Sequence, residues 1–258
     1  MKKKIPKLSI ITIVLNNRHF LEYTIQSVIE QDFKDFEFII IDGGSTDGTL
    51  EVVEKYKSNI DVFVSEKDSG IYNAINKGIG YAKGEWLNIL NSGDRLYSSK
   101  TLSQVFKGKI PESKSVLFGD WFLCPLLKNS KELRPGYANY ERGELLHQSI
   151  LYKRSLHKQH GLYIETKKLI ISDYIFFLSL PKEYFFYLKM PISINDTTGV
   201  SNSFWSYRQK LAFDYILGRI GLLYFYYETL RILIPRVDLF LYSRMKRSIA
   251  VLSKKGSI

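Results

Sequence analysis

The chain is predicted to fold as an α/β protein with a mostly parallel central sheet flanked by helices, on three observations. Short apolar runs rich in β-branched residues recur through the first hundred positions, as at 8–15 and 36–41. Segments with apolar residues at helical spacing separate them. Two runs then end in small residues and acids, Ile41-Asp42-Gly43-Gly44 and Leu90-Asn91-Ser92-Gly93-Asp94. In open α/β sheets ligands lie in the crevice outside such strand ends.

Residues 8–15 read as the first strand. The lysines at 2–4 resemble the start of a secretion signal, but Asn16-Asn17-Arg18-His19 stands where a small-residue cleavage site would be. Helical spacing of Leu21, Ile25, Val28 and Ile29 predicts a helix over 18–31. A second strand at 36–41 and a helix at 47–57 follow, then a strand at 60–65, a helix at 71–81 and a strand at 86–90. Alternation of this kind implies parallel strands covered on both faces. Past Asp94 the rhythm breaks into a helical turn at 101–106, a strand at 116–123, a hairpin or mobile loop at 126–140, an extended stretch at 144–152 and a helix at 173–180. The organisation expected is a domain over 1–203 and a helical, basic and aromatic appendage over 204–258.

Composition narrows the function classes. With 45% hydrophobic and 24% charged residues the chain is globular rather than disordered. Its single cysteine, Cys124, allows no internal disulfide and fits a cytoplasmic setting. No apolar stretch is long enough for a membrane span. Of the net charge of +11, the segment 205–258 carries a surplus of seven, ten Lys/Arg against three acids. That surplus suits anionic partners. Basic charge interleaved with Tyr, Phe and Leu suits helices lying in the interface of an anionic membrane; packing on the domain or on a second subunit, giving a homo-oligomer, is the alternative. No basic-aromatic module of the usual nucleic-acid-binding kinds is present, so nucleic acid is not an expected partner.

Asp42, at a strand end, suits a ribose hydroxyl pair or a base N–H, and equally suits an Asx turn before Gly43-Gly44. Asp47 fits helix capping or ligand positioning. Asp94 follows Ser92-Gly93, a turn small enough to admit an ion, and its carboxylate is a hard oxygen ligand for Mg²⁺ or Mn²⁺. Asp173, before an apolar helical run, reads as a general base or as a first-turn acid favoured by the helix dipole. His147 and Gln148 are further candidates for the donor or acceptor site, the histidine with a purely structural role as the alternative. The glycines at 78, 80 and 84 mimic a dinucleotide motif but follow a helix, the wrong context for one.

Taken together, the segment at 9–16, IDGGSTDGT at 41–49, EKDSGIYNAINKG at 66–78, LNSGDRLY at 90–97, HQS at 147–149 and SDY at 172–174 resemble a family 2 glycosyltransferase of the GT-A fold, in its bacterial surface-polysaccharide branch. The resemblance implies nucleotide binding by Thr12, Asn16, Asp42 and Asp68, metal binding by Asp94 at the end of a D-x-D-type motif, and Asp173 as catalytic base. Ser92 stands at the first acidic position of that motif, leaving one certain carboxylate for the cation. It also implies an inverting transfer from a nucleotide-sugar, UDP-linked by family habit, to a glycan or polyprenyl-linked acceptor at the inner face of the cell membrane. Residues 197–201 resemble the family's flexible segment after the base. A scaffold protein that binds nucleotide-sugars without turnover is the competing expectation.

Overall fold

The computed structural model describes residues 5–124, 132–197 and 204–233, in two compact units, Met1–Ser203 and Phe204–Ile258. In the first unit the strands are β1 (Leu8–Val14), β2 (Phe36–Asp42), β3 (Val62–Ser65), β4 (Trp86–Ile89), β5 (Arg95–Leu96), β6 (Val116–Cys124), β7 (Arg134–Gly136), β8 (Ile150–Lys153) and β9 (Phe185–Asp196). The helices are α1 (Arg18–Ile29), α2 (Thr49–Lys55), α3 (Ile71–Tyr81), α4 (Thr101–Lys107), α5 (Ser155–His160) and α6 (Ser172–Ser179). The strands form one sheet in the order β3-β2-β1-β4-β8-β6-β9-β5, with β7 added to β6.

Strands β3, β2, β1 and β4 run parallel, as the alternation of strand and helix predicts. Beyond β4 the sheet becomes mixed: β8 joins antiparallel to β4 and β6, while β9 runs parallel to β6. Alternate residues feed opposite faces. Ile11, Ile13, Ile39 and Ile41 pack with Ile75 and Ile79 of α3, and Leu8, Ile10, Phe38 and Ile40 pack with Leu21, Ile25 and Val28 of α1. Each such aliphatic side chain contributes roughly 1.5–3 kcal/mol when fully buried, so this double core dominates the unit's stability.

The chain leaves β1 for β2 and β3 on one side and returns to place β4 on the other. That reversal opens a crevice at the carboxyl ends of β1, β2 and β4. The extended stretch expected at 144–152 is present in part, as β8 from Ile150, but a single 3₁₀ turn, His147–Ser149, interrupts it. Asn88 of β4 pins this turn, donating from its buried amide to the carbonyls of Gln148 (3.1 Å) and Ile150 (2.9 Å). The expected hairpin is present in part, as β7 pairs antiparallel with Trp121–Leu123; residues 125–131 lie outside the described set.

The second unit contains α7 (Phe204–Ile216) and α8 (Leu222–Leu233). Buried Glu228 accepts from Tyr207 Oη (2.7 Å) and from Arg231 Nε and Nη2 (2.9 and 2.6 Å). Tyr215 stacks on Phe225. Trp205, Ile216, Leu223 and Tyr226 are exposed. No described helix is long and apolar enough to cross a membrane.

Candidate active site

Three loops close the crevice at the ends of β1 and β2. Asn16 holds a left-handed backbone (φ 49°), and its N–H donates to Ser45 Oγ (2.7 Å). Its Oδ1 accepts from the Thr46 N–H (2.8 Å). Asp42 is fully buried and accepts from the N–H groups of Gly44 and Ser45 and from Ser65 Oγ (2.6 Å). These are the contacts of the turn-forming role. Thr12, also fully buried, donates to the Leu90 carbonyl (2.8 Å) and ties β1 to the segment after β4. Thr12, Asn16 and Asp42 thus shape the floor of the crevice, with the Thr12 hydroxyl, the Asn16 Oδ1 and the Asp42 carboxylate already engaged. Asp47 accepts from the Thr49 N–H at the start of α2 and from the Arg18 N–H at the start of α1, which is the capping alternative.

Asp68 differs. Its Oδ1 accepts from the Gly70 N–H (3.0 Å), while its Oδ2 lies where a β-carbon on Gly43 would stand, 2.4 Å from that position. Leu15 borders the same point. Half-buried Asp68 therefore reaches the crevice rim only because residue 43 has no side chain.

At the end of β4, Asp94 is 6% exposed. Its Oδ1 accepts from the Asp196 N–H and its Oδ2 from Gln148 Nε2, both at 2.9 Å. Gly93 makes the turn at φ 100°, and its N–H donates to Thr24 Oγ1 (2.8 Å). Burial, joined by the negative charge of Asp196, pushes the Asp94 carboxyl up to about 7. No cationic side chain of the described residues pairs with Asp94, and the Oγ of Ser92 is buried with no hydrogen-bond partner. A buried acid that pairs with no cation among the described residues, with a second acid beside it, fits a divalent ion whose remaining ligands are phosphate oxygens and water. No group of three or more His, Cys, Asp or Glu suited to a metal occurs among the described residues.

Asp173 occupies the first turn of α6, its side chain 27% exposed. Its Oδ1 accepts from Tyr72 Oη of α3 (2.6 Å), and its Oδ2 faces His147 Nδ1 at 3.5 Å. Burial raises the pKa of the Tyr72 phenol, and the charge of Asp173 adds to the effect. His147 is buried, and its Nε2 meets Tyr163 Oη at 3.0 Å. Behind it Tyr163 donates to Tyr152 Oη (2.9 Å), Tyr152 meets His157 Nε2 (3.0 Å), and His157 Nδ1 meets the Gly161 carbonyl (2.9 Å). Burial holds His147 below the usual histidine range and lowers His157 to about 4.

The two carboxylates are therefore bridged through consecutive residues. Gln148 binds Asp94 and His147 faces Asp173, both from the turn that Asn88 pins. Sequence reasoning singled out all four residues but not Tyr72, Tyr163 or Asp196. Tyr72 lies inside the quoted segment EKDSGIYNAINKG; Asp196 directly precedes 197–201, of which only Thr197 is described.

A model of the family "Glycosyl transferase family 2" matches residues 9–176. A PGL/p-HBAD biosynthesis glycosyltransferase of Mycobacterium bovis (strain BCG) is 32% identical over 213 residues, covering 77% of this chain and 80% of the relative. Among solved structures, S. aureus TarS 1-349 in complex with UDP-GlcNAc superposes with a TM-score of 0.60 at 20% identity, over 78% of this chain and 60% of that one. Mannosyltransferase PcManGT from Pyrobaculum calidifontis, in complex with GDP-Man and Mn2+, gives 0.63 at 14% identity, over 98% of this chain and 76% of that one.

Proposed function

The chain belongs to glycosyl transferase family 2, and from that premise we propose that it is an inverting enzyme, moving a sugar from a nucleoside-diphosphate donor to a hydroxyl of a glycan or polyprenyl-linked acceptor during surface polysaccharide synthesis. The observation that carries this reading is the bridging of Asp94 and Asp173 by Gln148 and His147. One acid at the diphosphate and one at the attacking hydroxyl, held from a single turn, is what a one-step displacement requires.

In this reading Asp68 meets the nucleoside on the floor built by Thr12, Asn16 and Asp42. Asp94, with Asp196 beside it, would hold Mn²⁺ or Mg²⁺, which supplies charge neutralisation to a departing diphosphate. Asp173 takes the proton of the acceptor hydroxyl as the oxygen attacks the anomeric carbon; Tyr72, donating to its Oδ1, fixes its orientation. A UDP-sugar is the favoured donor. The TarS neighbour was solved with UDP-GlcNAc and the mannosyltransferase with GDP-Man, so the base is decided by a thermal-shift screen of nucleoside diphosphates and their sugars with and without Mn²⁺.

The test of the reaction is Asp173→Asn. Transfer is expected to fall by roughly 10²–10⁴, the usual share of a general base, with donor binding retained. Near-normal turnover in that variant removes Asp173 from the mechanism. Donor binding by the wild type with no transfer or donor hydrolysis under Mn²⁺ favours a non-catalytic scaffold instead.

The appendage over 204–258 is read as a contact with the anionic inner face of the cell membrane, where a lipid-linked acceptor resides. Exposed Trp205, Ile216, Leu223 and Tyr226 and the surplus of basic residues in the sequence support this. Liposome flotation that depends on anionic lipid is the expected result; a stable dimer that fails to float assigns the segment to self-association.

A further inference from the structure

The hydrogen-bond chain behind Asp173 has a direction, and the direction is fixed at its far end. The Gly161 carbonyl can only accept, so His157 Nδ1 carries the proton of that 2.9 Å bond. Burial keeps His157 neutral at physiological pH, which leaves its Nε2 as an acceptor. Tyr152 must then donate to His157. Each phenol has one proton. With its own committed, Tyr152 accepts from Tyr163, and this is the sense in which that 2.9 Å bond runs. Tyr163, its proton likewise committed, can only accept at its remaining contact, from His147 Nε2. The proton of neutral His147 therefore resides on Nε2, and its bare Nδ1 lone pair points at the Asp173 carboxylate.

Two acceptors facing one another explain the 3.5 Å between Nδ1 and Oδ2, longer than the roughly 2.7–3.2 Å of an N–H···O bond. The usual histidine–carboxylate pair, with the imidazole donating, is excluded by the phenol chain. The gap between the two atoms is one proton short.

We infer that His147 and Asp173 form a two-site base, in which the gap between Nδ1 and Oδ2 receives the proton released by the acceptor hydroxyl. This rests on Asp173 being the base of the proposed reaction. As the acceptor oxygen bonds to the anomeric carbon its O–H bond breaks, and the proton passes to the Asp173–His147 pair. The bond from the anomeric carbon to phosphate breaks at the same time, and its electron pair leaves with the nucleoside diphosphate. Afterwards Oδ2 and Nδ1 share the proton in a hydrogen bond that the resting enzyme lacks. The polar groups facing this pair are Tyr72 from α3, Tyr152 from β8, His157 from α5 and Tyr163 from the segment after it. Around His147 stand the rings of Tyr152, Tyr163 and Phe177. All four phenol and histidine neighbours are held in their neutral forms by burial, so no other group competes for the charge.

The tautomer can be read directly. The chain has four histidines, so ¹⁵N-histidine labelling gives four ring systems, and His147→Gln identifies the one of interest. The expected wild-type spectrum at neutral pH shows His147 with Nε2 protonated and Nδ1 bare. In Tyr163→Phe the Nε2–H loses its acceptor; the ring is expected to move its proton to Nδ1 and donate to Asp173, with kcat falling about tenfold and donor affinity unchanged. A proton on Nδ1 in the wild type overturns the inference, as does a Tyr163→Phe enzyme whose tautomer and kcat both stay as they were. Neither result touches Asp173 as base, which Asp173→Asn tests separately.

Discussion

Replacing Gly43 by alanine should weaken donor binding through Asp68 alone. A β-carbon at residue 43 would stand 2.4 Å from Asp68 Oδ2 and 3.2 Å from its Cγ, so the carboxylate must swing away. The backbone itself tolerates alanine, since Gly43 is not among the glycines with positive φ. In the proposed reading, what is lost is a hydrogen bond that the Asp68 carboxylate accepts from the nucleoside, worth roughly 1.5–3 kcal/mol. At 1.4 kcal/mol per decade, that is a rise of about 10- to 150-fold in the dissociation constant of the nucleoside diphosphate, read by titration calorimetry. Because the alanine acts by displacing Asp68, its effect should vanish in an Asp68→Ala background, which a double-mutant cycle measures. Full additivity of the two substitutions, or unchanged affinity in Gly43→Ala, would refute the assignment of Asp68 to the nucleoside.

Gln148→Leu strands the buried Oδ2 of Asp94 and should cost about 1–3 kcal/mol in urea unfolding, with Gln148→Glu no substitute because it adds a charge rather than a donor. His157 binds its proton less readily folded, at about 4 against 6.5. The unfolded chain therefore holds more protons between those values, and stability declines as pH falls from 6.5 toward 4. The decline attributable to this ring is at most about 3 kcal/mol; comparing urea midpoints of the wild type and His157→Gln across that range isolates it. Gly78→Ala drives a methyl to within 2.4 Å of Ile11 Cγ2 and should cost roughly 1–3 kcal/mol by overpacking α3 on β1, visible as a lower Tm with the donor-binding constant preserved.

The legible part of the fold was the part where burial alone writes the pattern. Strands β1, β2 and β4 are sealed on both faces, so they read as mostly apolar runs, interrupted only by single residues such as Ser9, Glu37 and Asn88. The sequence marks both ends of helix α3, because Gly70 and Ala82-Lys83-Gly84 punctuate it. Strand β9 is not legible in the sequence: Lys189 sits at φ 52°, Pro191 interrupts the run, and its partner β6 lies far upstream with register shifts near Asp120. The acids of the site are visible as strand-end and helix-start residues. Their partners are not, because Tyr152, His157 and Tyr163 fall within twelve residues but on a strand, a helix and a loop with no regular spacing, and Tyr72 comes from α3 far upstream. Asp42 and Thr12 show the converse limit, since a polar residue at a strand end reads alike whether it faces a ligand or braces a loop.

Asn88 gives the molecule one further property. With both amide contacts of this residue directed at the turn that bears His147 and Gln148 and at the start of β8 behind it, the separation between Asp173 and Asp94, the proton-handling and phosphate-handling ends in the proposed reading, is inherited from the sheet rather than from the loops above it. Remodelling those loops toward a new sugar or acceptor should alter what is recognised and leave the pace of the displacement alone. A library aimed at changing specificity would do best to spare that asparagine.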